Sequence, residues 1–209
     1  MKLNFKPASL IFIALYSVGI IMLCIPRFDN LVQLLTPFFL TTICTLVIIG
    51  SLNLTKTVAL FLALVFVISF LAEMIGTNTG LLFGNYSYSE VLGIQLLNTP
   101  LVIGVNWILV TMGALNLASL ITKSRFIIII LCAGFATVFD IILEPIAIKL
   151  NFWTWQHGLP GFYNYFCWFI LGLLFGWLGT KFKLNFITNF PAINFFVMLA
   201  YLIVAYLLK

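Results

Sequence analysis

Three of the five acidic residues, Glu73, Asp140 and Glu144, stand inside or at the edge of long apolar runs. Asp140 and Glu144 are four residues apart, a spacing that puts both on one helix face about 6 Å apart along the axis. Asp140 lies about ten residues from the end of its run, or about 15 Å into a hydrocarbon core about 30 Å thick. An ionised carboxylate there costs about 2.5–3.5 kcal/mol on the insertion scale, so the group must face the bundle interior and be protonated or paired. Two chemistries fit. Neutral acids can serve as glue between helices. Alternatively, burial favours the uncharged carboxyl, and neighbouring acids in unlike surroundings divide into proton donor and proton acceptor. Proton chemistry is the stronger reading, because ionisable groups within a membrane are functional by default. Pro145 follows Glu144 and lacks a backbone donor, which predicts a kink or unwinding beside the acid.

The stretch from Glu73 to Trp107 concentrates glycines, amides, hydroxyls and tyrosines in an otherwise greasy chain. Gly76, Gly80 and Gly84 recur every four residues, as a close-packed helix face would. A helix running through all three would overrun the membrane, and Asn78 and Asn85 favour turns. Helix packing and a re-entrant or outer-surface loop both remain open. Tyr86, Tyr88, Trp153, Trp155 and Tyr163 flank the two long connectors, where aromatic residues form interfacial belts. The other reading is the rim of a site, since a desolvated aromatic face stabilises a cation by about 2 kcal/mol or more. His157, in a connector, reads as a surface residue. Cys24, Cys44, Cys132 and Cys167 fall inside apolar runs without metal-like spacing, and no Cys/His/carboxylate cluster is visible, so no metal is expected. Asn53-Leu-Thr55 and Asn85-Tyr-Ser87 match the glycosylation pattern at the level of chance.

The elements that must position these groups are membrane helices. The 209 residues are 64% hydrophobic and 7% charged, with a mean hydropathy of +1.23, outside the range of soluble proteins. The expected fold is an all-α integral membrane protein, a bundle of about seven transmembrane helices forming one domain over residues 1–209. Candidate spans are Ala8–Ile25, Leu31–Gly50, Thr57–Ile75, Pro100–Ile121, Phe126–Ile148, Tyr163–Gly179 and Pro191–Leu208, each near the required length. Lys2 and Lys6 before the first run imitate a signal peptide, but no small-x-small cleavage site follows, so the run reads as a span. The connectors Gly76–Thr99 and Leu150–Phe162 are the only substantial ones. With the N-terminus cytoplasmic, Lys2, Lys6, Lys56, Lys123, Arg125, Lys181 and Lys183 fall inside, leaving Arg27, Lys149 and Lys209 outside. Both long connectors then lie on the outer side, with the late parts of the third and fifth spans, and the three acids can converge. The net charge of +5 sets orientation in the bilayer, and nucleic acid is not an expected partner.

Glu73-x-x-Gly76-x-x-Thr79-Gly80-x-x-Phe83-Gly84-x-Tyr86-x-Tyr88-Ser89-x-x-Leu92-Gly93, followed by Pro100 and Trp107, resembles the signature of the membrane carotenoid-biosynthesis family that includes the γ-carotene and bisanhydrobacterioruberin hydratases. A second block is similar too: Asp140-x-x-x-Glu144-Pro145-x-Ala147, Trp153-x-Trp155, Pro160, Asn164 and Trp168. The resemblance implies cofactor-free addition of water to the terminal double bond of an acyclic carotenoid. Asp140, Glu144 and Glu73 would be catalytic, and Tyr86, Tyr88, Trp107, Trp153, Trp155, Asn164 and Trp168 would bind the substrate. It also implies an inner cell membrane location and other membrane enzymes of the pathway as partners. Protonating a trisubstituted alkene leaves a tertiary carbocation that water captures as a tertiary alcohol. End-group cyclisation begins with the same protonation. A proton-coupled transporter would also use midplane acids, but paired interrupted segments are not visible. A structural subunit would need no acids at all.

Overall fold

The computed structural model describes residues 5–209, with Lys2 and the side chain of Lys6 outside the described residues. Seven α-helices follow one another: α1 (Phe5–Leu23), α2 (Asp29–Ser51), α3 (Lys56–Thr79), α4 (Val102–Ile121), α5 (Arg125–Lys149), α6 (Phe162–Lys181) and α7 (Phe190–Leu208). Six of them are long and apolar enough to cross a membrane, while Leu10–Leu23 of α1 is a shorter apolar helix. The fold is the all-α membrane bundle that the hydropathy predicts. In lipid, a helix satisfies every backbone donor and acceptor within one segment, which is why uninterrupted apolar runs adopt it.

Helix α4 runs through the middle, touching α2, α3, α5, α6 and α7. Its neighbours shield it from lipid, so it tolerates buried polar residues that the peripheral helices would present to hydrocarbon: Asn106, Thr111 and Asn116. Asn116 Oδ1 accepts from the backbone of Ala192 at 3.1 Å, tying α4 to the start of α7. Helices α5 and α6 approach most closely where Gly172 and Gly176 face α5; a Cβ on Gly172 would lie 2.6 Å from Ala133 Cα. This small-xxx-small contact brings two helix backbones together by removing side chains between them.

The two long connectors meet at one end of the bundle. Between α3 and α4 lie β1 (Tyr86–Tyr88), β2 (Gln95–Leu96) and β3 (Thr99–Pro100); between α5 and α6 lies β4 (Trp153–Trp155). β2 and β3 form a hairpin whose turn residues Leu97 and Asn98 both have positive φ, 50° and 61°, as a two-residue type I′ turn demands. Asn78 ties that turn to α3, donating to Leu97 O at 2.9 Å and accepting from Asn98 at 3.0 Å. β1 pairs antiparallel with β4, with Tyr86 opposite Trp155, Ser87 opposite Thr154 and Tyr88 opposite Trp153. At the opposite end Leu52 bridges Phe186, joining the α2–α3 and α6–α7 turns.

The open question about the glycine ladder resolves position by position. Gly76 is helical and lets the connector close onto α3, since a Cβ there would lie 2.9 Å from Leu82 O and from the Tyr86 hydroxyl. Gly80 ends the helix in the left-handed conformation at φ 67°, a backbone state that glycine adopts without penalty. Gly84 turns the chain into β1 at φ 113°. Helix α3 therefore extends one turn beyond the expected Ile75, and Glu73 sits inside it, not at its end. The unwinding expected beside Pro145 does not occur: α5 continues through it to Lys149. One missing donor does not open a helix whose remaining backbone groups have no water to turn to.

Candidate functional site

The ribbon formed by β1 and β4 closes one end of the bundle over the three acids. Alternation along a strand sends successive side chains to opposite faces. Ser87 and Thr154 point outward, their hydroxyls 3.1 Å apart. Tyr86, Tyr88, Trp153 and Trp155 all point inward. Their rings pack on one another across the ribbon, Tyr86 with Trp155 at 5.0 Å between centroids and Tyr88 with Trp153 at 5.8 Å. Ser89 anchors the end of β1, its backbone donating to Phe152 O at 3.0 Å and its hydroxyl to Asn151 O.

The polar tips of these four aromatics reach two different carboxylates. Both tyrosine hydroxyls donate to Glu73 Oε2, Tyr86 at 2.5 Å and Tyr88 at 2.8 Å. Trp107, from α4, donates its indole N–H to Glu73 Oε1 at 3.0 Å. Both β4 tryptophans donate to Glu144 Oε2, Trp153 at 3.0 Å and Trp155 at 2.9 Å. Asn164, near the start of α6, bridges the α5 acids, donating to Asp140 Oδ2 at 2.6 Å and to Glu144 Oε1 at 3.4 Å. Asp140 thus has one hydrogen-bonding neighbour where Glu73 and Glu144 have three each. Burial, and then the Glu73 carboxylate beside them, hold the Tyr86 and Tyr88 phenols well above the usual tyrosine range. They remain protonated donors at neutral pH.

All ten side chains singled out in the sequence, three acids and seven aromatic or amide residues, line one small cavity. Trp168 stacks on Trp107 with 3.8 Å between ring centroids and contributes the α6 wall. Ile103, Asn106 and Leu143 complete the lining and were not singled out. Asn106 had a readable signal, an amide beside Trp107 in an apolar run. Leu143 had a weaker one, its place on α5 between the two acids. Among the described residues no lysine, arginine or histidine faces the cavity, and the one ion pair, Lys209 with Asp29, lies elsewhere. His157 is exposed in the turn after β4. Tyr163 lies outside the cavity as well, half-exposed with its hydroxyl donating to Leu81 O at 3.0 Å. Of the aromatics flanking the connectors, four therefore face inward and one takes the interfacial position.

The arrangement has a definite chemical capacity. Its volume of about 30 Å³ has room for about two water molecules, given that one needs ~10–15 Å³. A small space walled by carboxyl groups and indole and phenol faces can move a proton, hold a water and surround a positive charge with negative π-faces. A metal centre of His, Cys, Asp and Glu groups has no counterpart among the described residues.

No significant match exists among curated proteins or solved structures. The profile of one protein family, described as carotenoid biosynthesis protein, matches residues 31–209. That match runs from the start of α2 to the end of the chain and contains both connectors and all three acids, so this chain belongs to the carotenoid biosynthesis protein family.

Proposed function

We propose that the protein is a hydratase that adds water across the terminal 1,2 double bond of an acyclic carotenoid. The observation that carries this reading is the gathering of three buried carboxyl groups around a water-sized space walled by aromatic rings. Hydrogen bonds to a carboxylate favour its charged form. Glu73 and Glu144 each accept three, and Asp140 one. Asp140 is therefore the member best suited to carry the proton that is given. In the proposed step, Asp140 transfers a proton to the less substituted alkene carbon, and the alkene electron pair forms the new C–H bond. The adjacent tertiary carbon becomes cationic. A water oxygen bonds to it, and Glu144 or Glu73 takes the proton the water releases. Proton return between the carboxyl groups restores the starting state, and the net reaction is alkene plus water to tertiary alcohol. A buried acid is a reluctant donor, so stabilisation of the cation by the surrounding rings must supply much of the rate.

Producing the protein in cells that make lycopene or γ-carotene, then weighing the extracted pigments, tests this directly. The expected product is heavier by one water. An unchanged mass with a shifted absorption spectrum indicates cyclisation instead, and unaltered pigment sinks both readings.

The same reading assigns an orientation. Lys56, Lys123, Arg125, Lys181 and Lys183 all lie at the end of the bundle opposite the ribbon, and Arg27, Lys149 and Lys209 at the ribbon end. Excess Lys and Arg marks the cytoplasmic face, which supports an orientation with the N-terminus inside and the ribbon on the outer side of a cell membrane. A reporter fused after Lys209 is expected to be active only outside; cytoplasmic activity there reverses the assignment.

A further inference from the structure

A second, larger space adjoins the acid cavity. It is a groove of about 280 Å³ between α1, α2, α4, α5 and α7, with a lining that is almost wholly hydrocarbon. On α2 it extends from Val32 to Thr42, about 15 Å along the helix axis. Its mouth is formed by residues that face the lipid, among them Val18 on α1 and Phe38 on α2. Its inner end is formed by Ile103, Asn106, Leu143 and Trp153, and these four side chains also wall the acid cavity. One partition, one side chain thick, therefore separates a lipid-open hydrocarbon space from the carboxyl groups.

Asn106 is the polar member of that partition. It is 8% exposed, and its amide makes no hydrogen bond to any described residue. Among the described residues no sealed side-chain polar atom lacks a partner, so this amide is open to the two spaces, and α4 places it where they meet. Leu143 is the matching apolar member, three residues after Asp140 and directly before Glu144.

We infer that this groove is the channel by which a linear isoprenoid hydrocarbon enters from the lipid, its terminal double bond lying at the partition and its remaining length outside in the bilayer. The occupant follows from the groove's chemistry. The space is elongated and apolar, opens sideways to acyl chains, and leads at its closed end to groups able to protonate an alkene. Asn106 is the one hydrogen-bonding side chain of the partition that has no partner among the described residues, and it is positioned to hold the attacking water or the hydroxyl it becomes. The inference rests on the proposed hydratase chemistry for the identity of the reacting end, but the location of the chain can be tested without turnover.

A diazirine-bearing amino acid is placed at Met22, in the groove, or at Ile127, on the lipid-facing surface of α5. Membranes containing an acyclic carotenoid are irradiated, and the denatured protein is examined for covalently bound pigment. At least tenfold more pigment is expected at Met22 than at Ile127. Equal labelling overturns the channel, whatever the enzyme's activity. Labelling confined to Met22 without any hydrated product supports the channel and overturns the hydratase reading instead. In parallel, Thr36→Trp, which fills the groove, is expected to lower conversion at least tenfold, with Ile127→Trp unaffected. A folded Thr36→Trp protein with parental conversion counts against the channel. Asn106→Leu is expected to keep the Met22 adduct while losing at least tenfold in turnover; loss of neither excludes it as the polar seat.

Discussion

Asp140→Asn and Glu144→Gln are each expected to lower carotenoid conversion by about 10²–10⁴-fold, the usual contribution of a general acid or base, while the protein accumulates in the membrane at parental levels. The amides are matched in size, and their carbonyl oxygens still accept from Asn164 in one case and from Trp153 and Trp155 in the other. They cannot exchange a proton as a carboxyl does. If the acids are only glue between helices, the loss is that of a hydrogen bond in a membrane protein, averaging about 0.6 kcal/mol, or a factor of about three. Pigment turnover normalised to protein in isolated membranes separates the two outcomes. Near-parental rates in both variants would return these acids to a structural role and leave Tyr86 and Tyr88 as the groups to pursue.

Glu73 carries a different expectation, because three donors converge on it. Glu73→Ala leaves the Tyr86 and Tyr88 hydroxyls and the Trp107 indole N–H without their acceptor. Each stranded donor costs about 1–3 kcal/mol, so the upper bound of ~9 kcal/mol is comparable to the ~5–15 kcal/mol that separates folded from unfolded states. Glu73→Ala is expected to yield little folded protein, or protein cut within residues 80–101 under mild proteolysis. Glu73→Gln still offers one acceptor oxygen, and its expected defect lies mainly in turnover. Combining Glu73→Ala with Tyr86→Phe and Tyr88→Phe removes two of the stranded donors and is expected to recover part of the yield, since groups that share one hydrogen-bond network are not additive. A Glu73→Ala protein that accumulates and melts like its parent would show that the carboxylate does not anchor the ribbon.

The helical part of the fold was legible because lipid imposes one rule on every span: all seven expected runs are helices, and six of them are long and apolar enough to cross a membrane. The meeting of Glu73 with Asp140 and Glu144 was legible for the same reason: alternating spans bring the late parts of α3 and α5 to one end. The ribbon was not foreseen. Tyr86-Ser87-Tyr88 and Trp153-Thr154-Trp155 each show a two-residue alternation, but three residues are too short to distinguish a strand from an interfacial aromatic cluster. Their pairing also spans 67 residues at Ser87 and Thr154. Local pattern says nothing about such a partner. Asn106 was visible as a polar residue, but its lack of a partner is a property of packing. Pro145 does not unwind α5, because its local preference is outweighed by the backbone hydrogen bonding of the rest of the helix.

That 67-residue separation also sets an order of events during synthesis. Helices α4 and α5 lie between the two strands, so β1 emerges well before its partner and waits while both are threaded into the bilayer. During that interval Glu73 has its two tyrosines within reach, both lying within 15 residues of it, but Glu144 acquires its indole donors only when β4 follows α5 across. The first carboxylate therefore has two of its three donors close by in the chain, and the second meets both indoles only when the ribbon closes. Long-range pairings of this kind form slowly, because the intervening loop must be ordered before the contact repays it. Closure of the ribbon thus waits for α5, and the cavity beneath it is complete only when α6 brings Asn164 and Trp168 to its wall.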